Sequence, residues 1–389
     1  MFKVGIIGCG MIAELGHIPA IKQVPGIQLY ALYDPNFSRA TLLQSWFDVP
    51  HAFPDEEAFF ASDIDAMIIC TPAPVHYKNV MDAAKHGKHV LCEKPLGTTE
   101  KEMEEMDKVM KKAGLMLFTG FNYRFSQSAL DIRHLVKEKA IGEVRLLRLT
   151  YNWHLHGKWH WNEAGERVDT PLRAGRMKEG GPLVDCGVHQ IDLARWWLDS
   201  EVSWQQGIGV WLDTYEAPDH MYLHMAHECG THTSVEVSFS YNTTSKEPRT
   251  NFYYELIGTD GVIRYNREEH SFELRNSHGT HHLPWHPEKS FAGMYHELYN
   301  ALKTGKGGNM PTAQDGIIAT RIAKAATDEA IAKRDKPSKA CPSTKVRAID
   351  TDIDAMHSEV PLDNMDMPLD LEKTKKLGLF VEGKKPEKS

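Results

Sequence analysis

The chain has 389 residues, 41% of them hydrophobic and 25% charged, with a formal net charge of −8. That length asks for two domains, and that composition for a soluble globular core. The acidic balance lacks the concentrated basic face of a nucleic-acid binder, and no apolar run reaches the roughly 18–20 residues of a membrane span.

The N-terminus opens directly into a strand at Val4–Ile7, with no charged leader before a long apolar stretch. No secretory signal is expected, and the cytoplasm is the expected compartment. A helix is predicted at Ile12–Val24, a strand at Ile27–Tyr33 and a helix at Asn36–Phe47. Ala66–Cys70 reads as a continuous apolar strand, Val75–His86 as a helix and His89–Leu91 as a short strand. Thr99, with Glu102 three residues on, forms a capping box. Met103, Met106, Val109 and Met110 then recur at helical spacing and predict a buried stripe. Gly114 ends that helix, and Leu115–Thr119 is a further strand. Such alternation predicts a parallel sheet covered on both faces.

The rhythm changes near Phe121. A helix at Ala129–Lys139 precedes a long strand at Glu143–Asn152. A polar, aromatic loop runs to Gly181, and a helix follows at Cys186–Leu198. From Val202 to Leu283 several strands alternate apolar and polar residues, which predicts an antiparallel sheet with one buried face. Two helices follow, at Phe291–Lys303 and Ala313–Lys333. From Lys336 the composition shifts to Lys, Pro, Asp and Glu, the pattern of an extended arm or tail. The six cysteines form no CxxC pair and read as reduced thiols.

Gly8-Cys9-Gly10-Met11-Ile12-Ala13 is a G-x-G-x-x-A turn between the first strand and the first helix. The first Gly permits the tight turn, the second lets the backbone approach a pyrophosphate, and Ala13 allows close helix–strand packing. The helix N-terminus offers free N–H groups and positive dipole to phosphates. Asp34 closes the second strand, where a carboxylate accepts both ribose hydroxyls and repels a 2′-phosphate. NAD is therefore the expected cofactor, with Arg39 nearby to soften the preference.

The expected fold is α/β. A Rossmann doubly wound parallel sheet occupies residues 1–122. A C-terminal α+β domain with a large open antiparallel sheet, for substrate binding and oligomerisation, spans 123–335, its last helix packing back on the first domain. The tail covers 336–389. An open apolar sheet face needs a cover, so a homodimer or homotetramer is expected.

Further segments carry a resemblance. Cys70-Thr71-Pro72-Ala73-Pro74-Val75-His76 and Glu93-Lys94-Pro95 follow strands. Gly120-Phe121-Asn122-Tyr123-Arg124-Phe125 marks the domain junction, and the run from Gly180 through Asp185 and His189 to Asp192 opens a helix. In this order and spacing the set resembles the glucose–fructose oxidoreductase / inositol dehydrogenase / rhizopine catabolism (Gfo/Idh/MocA) family over roughly residues 1–335. The resemblance implies that Lys94 lies beside the nicotinamide with Asp185 and His189 as catalytic partners. His189 is the expected acid/base, with a pKa suited to proton transfer. Lys94 polarises the reacting oxygen, and Asp185 holds a neighbouring hydroxyl or orients His189. The proton-transfer role can also be exchanged between Lys94 and His189.

The expected cofactor contacts are Gly8, Gly10, Met11, Ile12, Asp34, Thr71, Pro72, His76, Glu93, Lys94, Asn122 and, by loose resemblance, Arg173. The expected substrate contacts are Lys94, Tyr123, Trp153, His154, His156, Trp159, Arg176, Asp185 and His189. Pro95 fixes its turn, in cis or trans, and Asp192 supports the site from behind or satisfies local backbone.

Two departures from the family pattern stand out. Glu179 replaces a small residue, and the segment from Trp153 to Arg176 is dense in Trp, His and Arg. Trp faces suit sugar rings, and the basic groups suit a carboxylate or sulfonate. No metal is expected, because no carboxylate or Cys completes a familiar spacing around His154, His156 and His160. The leading reading is an NAD-dependent oxidoreductase transferring hydride between nicotinamide and a secondary hydroxyl of a sugar, cyclitol or sugar acid. An NAD-retaining glycoside hydrolase or lyase acting by transient oxidation is the second. A non-catalytic NAD-binding regulatory protein is the third.

Overall fold

The computed structural model describes residues 1–334 apart from 155–158, 163, 165, 170, 242–244 and 246–247, with 159–161, 167, 169 and 171–174 described in their backbone only. The expected tail, 336–389, lies outside the described residues.

The first domain follows the predicted alternation. β1 (Phe2–Ile7) leads through a wide π-type turn at Ala13–His17 into α1 (Ile18–Ile21). β2 (Ile27–Tyr33), α2 (Phe37–Phe47), β3 (His51–Phe53) and α3 (Glu56–Phe60) follow. Then come β4 (Ala66–Ile69), α4 (Ala73–Lys85), β5 (His89–Cys92), α5 (Glu100–Lys112) and β6 (Leu117–Thr119). The six strands pair in parallel in the order β3-β2-β1-β4-β5-β6. The chain steps from β1 to β2 on one side and later to β4 on the other. Their carboxyl ends therefore flank a crevice, where open α/β sheets bind ligands.

Every side chain of β4 is fully buried, which is why its apolar run is unbroken. Met103, Met106 and Met110 of α5 are also fully buried, worth about 1.5–3 kcal/mol each. At the head of α5, Thr99 Oγ1 accepts from Glu102 N at 3.3 Å. The Glu102 carboxylate accepts from the Thr98 and Thr99 hydroxyls. β3 and α3 were not predicted: three half-exposed residues at a sheet edge carry no readable period.

The second half begins with a short helical turn at Asn122–Phe125, then α6 (Gln127–Lys137) and β7 (Val144–Asn152). The segment expected as a loop up to Gly181 contains a hairpin, β8 (Trp159–Trp161) with β9 (Arg167–Asp169), and a helix, α7 (Pro171–Lys178). Three-residue strands are too short to show alternation. The next helix, α8 (Val188–Leu198), starts two residues later than predicted, because a second π-type turn occupies Leu183–Gly187.

Then follow β10 (Val202–Val210), β11 (His220–His227), β12 (His232–Ser238), β13 (Asn251–Gly258), β14 (Gly261–Asn266), β15 (Ser271–Asn276) and β16 (Gly279–His282). Last are α9 (Phe291–Thr304) and α10 (Ala313–Arg334). The eight-stranded sheet runs β10-β11-β12-β7-β13-β14-β15-β16. It is mixed rather than purely antiparallel, because β12 lies parallel to β7. The long excursion between those strands, through α7 and α8, returns the chain in the same direction, as a parallel pair requires.

One sheet face packs on α8 and α10 around Trp197, Leu223, Val235, Phe252 and Tyr254. The other leaves Trp204, Ile208, Val210 and Tyr222 exposed. α10 also returns to the first domain, where Thr119 N donates to Pro311 O and Arg321 pairs with Glu100. Among the described residues no helix is long and apolar enough to cross a membrane.

Candidate active site

β5 ends at Cys92, and the next two residues face opposite ways. Glu93 turns inward and is 7% exposed. Its Oε1 accepts from His17 Nε2 at 2.9 Å, and His17 Nδ1 lies 2.6 Å from the Tyr295 hydroxyl. Burial opposes charge on Glu93, but the His17 hydrogen bond prevails and holds the carboxyl below its ordinary range. This ties the helical segment after the glycine turn to the lysine turn and to α9.

Lys94 turns outward, and its peptide bond to Pro95 is cis. Its Nζ donates to Asp185 O at 2.8 Å and to Asp185 Oδ1 at 2.9 Å. Burial disfavours the ammonium, yet the Asp185 carboxylate prevails and raises the pKa, so Lys94 is a cation at neutral pH. Asp185 comes from the π-type turn at Leu183–Gly187, and Arg176 of α7 donates to the same Oδ1.

His189 sits one turn further, on α8. Its ring lies flat on Tyr123, with centroids 4.2 Å apart, and edge-on to Phe121. Burial, then the Lys94 charge, push the imidazole pKa well below its ordinary value, so the ring is neutral. Among the described residues its buried Nδ1 has no hydrogen-bond partner. Asp192, one turn on, takes Arg124 at both oxygens, Nε donating at 2.7 Å. Arg124 also reaches Asp315 of α10 at 3.0 Å. Burial, against the pull of Arg124, raises the Asp192 carboxyl to about 6.

The glycine turn fits a dinucleotide. Gly8 has φ +92°, and a Cβ there would meet the Cys70–Thr71 backbone at 2.8 Å, so only glycine serves. A Cβ on Gly10 would meet nothing within 4 Å, which leaves open space for a pyrophosphate. Met11 and Ile12 beside it are exposed. Asp34 accepts from Cys9 N at 2.8 Å and from Asn36 N at 2.9 Å, one bond at each oxygen. Arg39 is held by Cys9 O and Glu14. The Thr71 hydroxyl donates to Asn79, and Pro72 is exposed at the head of α4. Asn122 is buried at the junction, and among the described residues its Oδ1 has no partner.

Two of the expected cofactor contacts have side chains that face inward. His76 is 1% exposed, with its ring nitrogens 3.0 Å from Pro95 O and 2.8 Å from Thr71 O. It braces the two loops from behind. Glu93, bonded to His17, likewise faces the interior. The motif marks both positions but does not say which way the side chain turns.

Among the expected substrate contacts, Lys94, Asp185, His189, Tyr123 and Arg176 converge, with Tyr123 buried behind His189. Trp153 and His154 follow β7, and Trp153 stacks on Tyr151 with ring centroids 5.5 Å apart. His156 and the side chains of Trp159 and Arg173 lie outside the described residues. Sequence reasoning missed His17, Tyr295, Tyr151 and Lys289. Lys289 acts on His189 electrostatically, and its neighbour Ser290 bonds through N to Asn122 O. No motif announces any of the four. Among the described residues no cluster of His, Cys, Asp and Glu is built to hold a metal.

A crevice at a doubly wound switch point, faced by a lysine, an aspartate and a histidine, defines a dinucleotide-binding oxidoreductase site. Residues 2–121 match an oxidoreductase family with an NAD-binding Rossmann fold, and residues 129–264 match the GFO/IDH/MocA C-terminal domain. The chain belongs to the Gfo/Idh/MocA oxidoreductase family. It is 30% identical over 201 residues to myo-inositol 2-dehydrogenase of Thermotoga maritima, an alignment spanning 51% of this chain and 56% of that protein. The chain thus spans little more than half of that relative. Inositol 2-dehydrogenase of Acidothermus cellulolyticus is 25% identical over 333 residues, covering 84% of this chain and 92% of its own length. Among solved structures, an oxidoreductase from Agrobacterium radiobacter in complex with NAD+, L-tartaric acid and magnesium superimposes with a TM-score of 0.72. It is 21% identical, with 86% of this chain and 97% of that one covered.

Proposed function

We propose that the chain transfers hydride between NAD and a secondary hydroxyl of a sugar, cyclitol or sugar acid. The observation that supports this most is the pairing of a cationic Lys94 with a neutral His189 across Asp185. Bound NAD would supply the hydride acceptor for the carbinol carbon, and its reduced form the donor in reverse. Lys94 Nζ donates to the reacting oxygen and stabilises the negative charge that grows there. A neutral imidazole at His189 accepts the hydroxyl proton, a role the protonated Lys94 does not fill. Asp185 fixes Lys94 and keeps it charged. The inositol dehydrogenases among the relatives support a cyclitol or sugar substrate.

Gly8, Gly10 and Asp34 are the residues proposed to hold the dinucleotide, with Asn122 facing the nicotinamide end. A second copy of the chain is the proposed cover for the exposed sheet face bearing Trp204, Ile208 and Tyr222, in a cytoplasmic enzyme. The test is NADH formation from NAD with a panel of inositols, aldoses and sugar acids, beside Lys94→Ala and His189→Ala. Substrate-dependent NADH that both variants abolish is the expected result. Turnover of an aryl glycoside far beyond the NAD supplied, without NADH, would instead favour the transient-oxidation glycosidase.

A further inference from the structure

Resting on that reading, we propose that the substrate is anionic, a sugar acid whose carboxylate is gripped by Arg176 beside the reacting carbinol.

Two cations converge on Asp185. Its Oδ1 accepts from Lys94 Nζ at 2.9 Å and from Arg176 Nη1 as well. One carboxylate does not neutralise two cations. The Asp185 side chain is only 5% exposed, whereas that of Arg176 is 40% exposed. The guanidinium therefore spans from the buried carboxylate out to solvent. Its Nε and Nη2 have no hydrogen-bond partner among the described residues, so the outer part of the planar fork is available. Such a fork matches a carboxylate through two parallel hydrogen bonds, a geometry that a neutral hydroxyl does not reproduce.

The surroundings add to the imbalance. Lys289, exposed, acts on the same His189 ring as a third cation. Two further acids lie nearby: Glu93, which acts on Lys94 from the interior side, and Glu179, half-buried near Arg176. Burial, then Asp185, raise the Glu179 pKa, while Arg176 and Lys94 pull it down. A neutral polyol leaves the outer edge of the Arg176 fork without an anionic partner beside a buried carboxylate, where a half-paired charge is costly. An anionic substrate removes that cost on binding. Arg176 is then a specificity-determining residue: it selects the substrate, while Lys94 and His189 handle the reacting hydroxyl.

Isothermal titration of the full chain loaded with NADH tests this, using glucuronate, galacturonate, gluconate and galactonate against glucose, galactose and myo-inositol. At least one acid is expected to bind about tenfold to a hundredfold tighter than every neutral compound, the range of a charge-assisted hydrogen bond. Added salt is expected to narrow the gap. Arg176→Gln is expected to collapse the acid-to-neutral ratio, and Arg176→Lys to restore part of it, with both variants checked for an unchanged melting temperature. Equal or weaker binding of every acid, or a ratio indifferent to Arg176→Gln, overturns the proposal. NADH formation from neutral polyols alone would leave the oxidoreductase reading standing and remove this one. Tight Arg176-dependent binding of an acid without any NADH formation would do the reverse.

Discussion

The Tyr123 ring lies against the His189 imidazole with the two planes 6° apart. One face of the proposed acid/base ring is thereby sealed by an aromatic surface from the domain junction. The seal excludes water, and that exclusion is the first reason the imidazole stays neutral. Removing the seal with Tyr123→Ala should raise the His189 pKa toward its ordinary range and cost activity. An NMR titration of the ring with no upward shift would count against this.

Rates across pH give a second check. A histidine with a depressed pKa keeps its base form until the pH falls past that lowered value. The acid limb of kcat/KM for oxidation is therefore expected well below the ordinary imidazole value of about 6.5. Lys94 is shifted the other way, so its loss of charge is expected above the ordinary lysine value of 10.5. Asp185→Asn removes the carboxylate that raises it, and the alkaline limb should move to lower pH. A limb that stays in place in that variant would sever the link between the two residues.

Lys94→Ala and His189→Ala should each lower kcat by about 10²–10⁴. NAD affinity, read by fluorescence quenching, should hardly change. Near-normal turnover in both would remove the catalytic assignment.

The two glycines of the turn should separate under substitution. Gly8→Ala forces a side chain into positive φ and into the Cys70–Thr71 backbone, so it should lower the melting temperature. Gly10→Ala meets open space and should fold normally while weakening NAD binding. Asp34→Ala should weaken NAD by about tenfold, near 1.4 kcal/mol, and relax discrimination against NADP. Unaltered affinities for both dinucleotides would relocate the ribose site.

Asp192 and Arg124 form a buried ion pair at the helix that carries His189. Removing Asp192 takes both of its hydrogen bonds from the buried Arg124 and leaves only the 3.0 Å contact to Asp315, so Asp192→Ala should destabilise the protein by about 3–5 kcal/mol in denaturant titration. A change under 1 kcal/mol would show that Asp315 alone satisfies Arg124.

Much of this was legible in the sequence because the reactive groups sit at element ends. Gly8 and Lys94 follow strands, Asp185 and His189 lie where a turn meets a helix, and the chain order of these junctions is the fold. What escaped was contact between distant segments. His17 meets Glu93 and Tyr295 only after the sheet and α9 have assembled, and no local pattern encodes that meeting. The parallel pairing of β12 with β7 is likewise decided by the path of a crossover, not by alternation within either strand. The β8–β9 hairpin is too short to leave a period. His76 shows a further limit: a motif fixes where a residue stands, while packing decides what its ring touches.

The back-to-back placement of Glu93 and Lys94 has an evolutionary consequence. A single-residue insertion or deletion between β5 and Pro95 would exchange the inward and outward positions, sending an acid to the reaction cleft and an ammonium toward His17. Natural variants of this chain should therefore vary loop length freely elsewhere on the crevice rim, while the interval from strand to proline stays invariant.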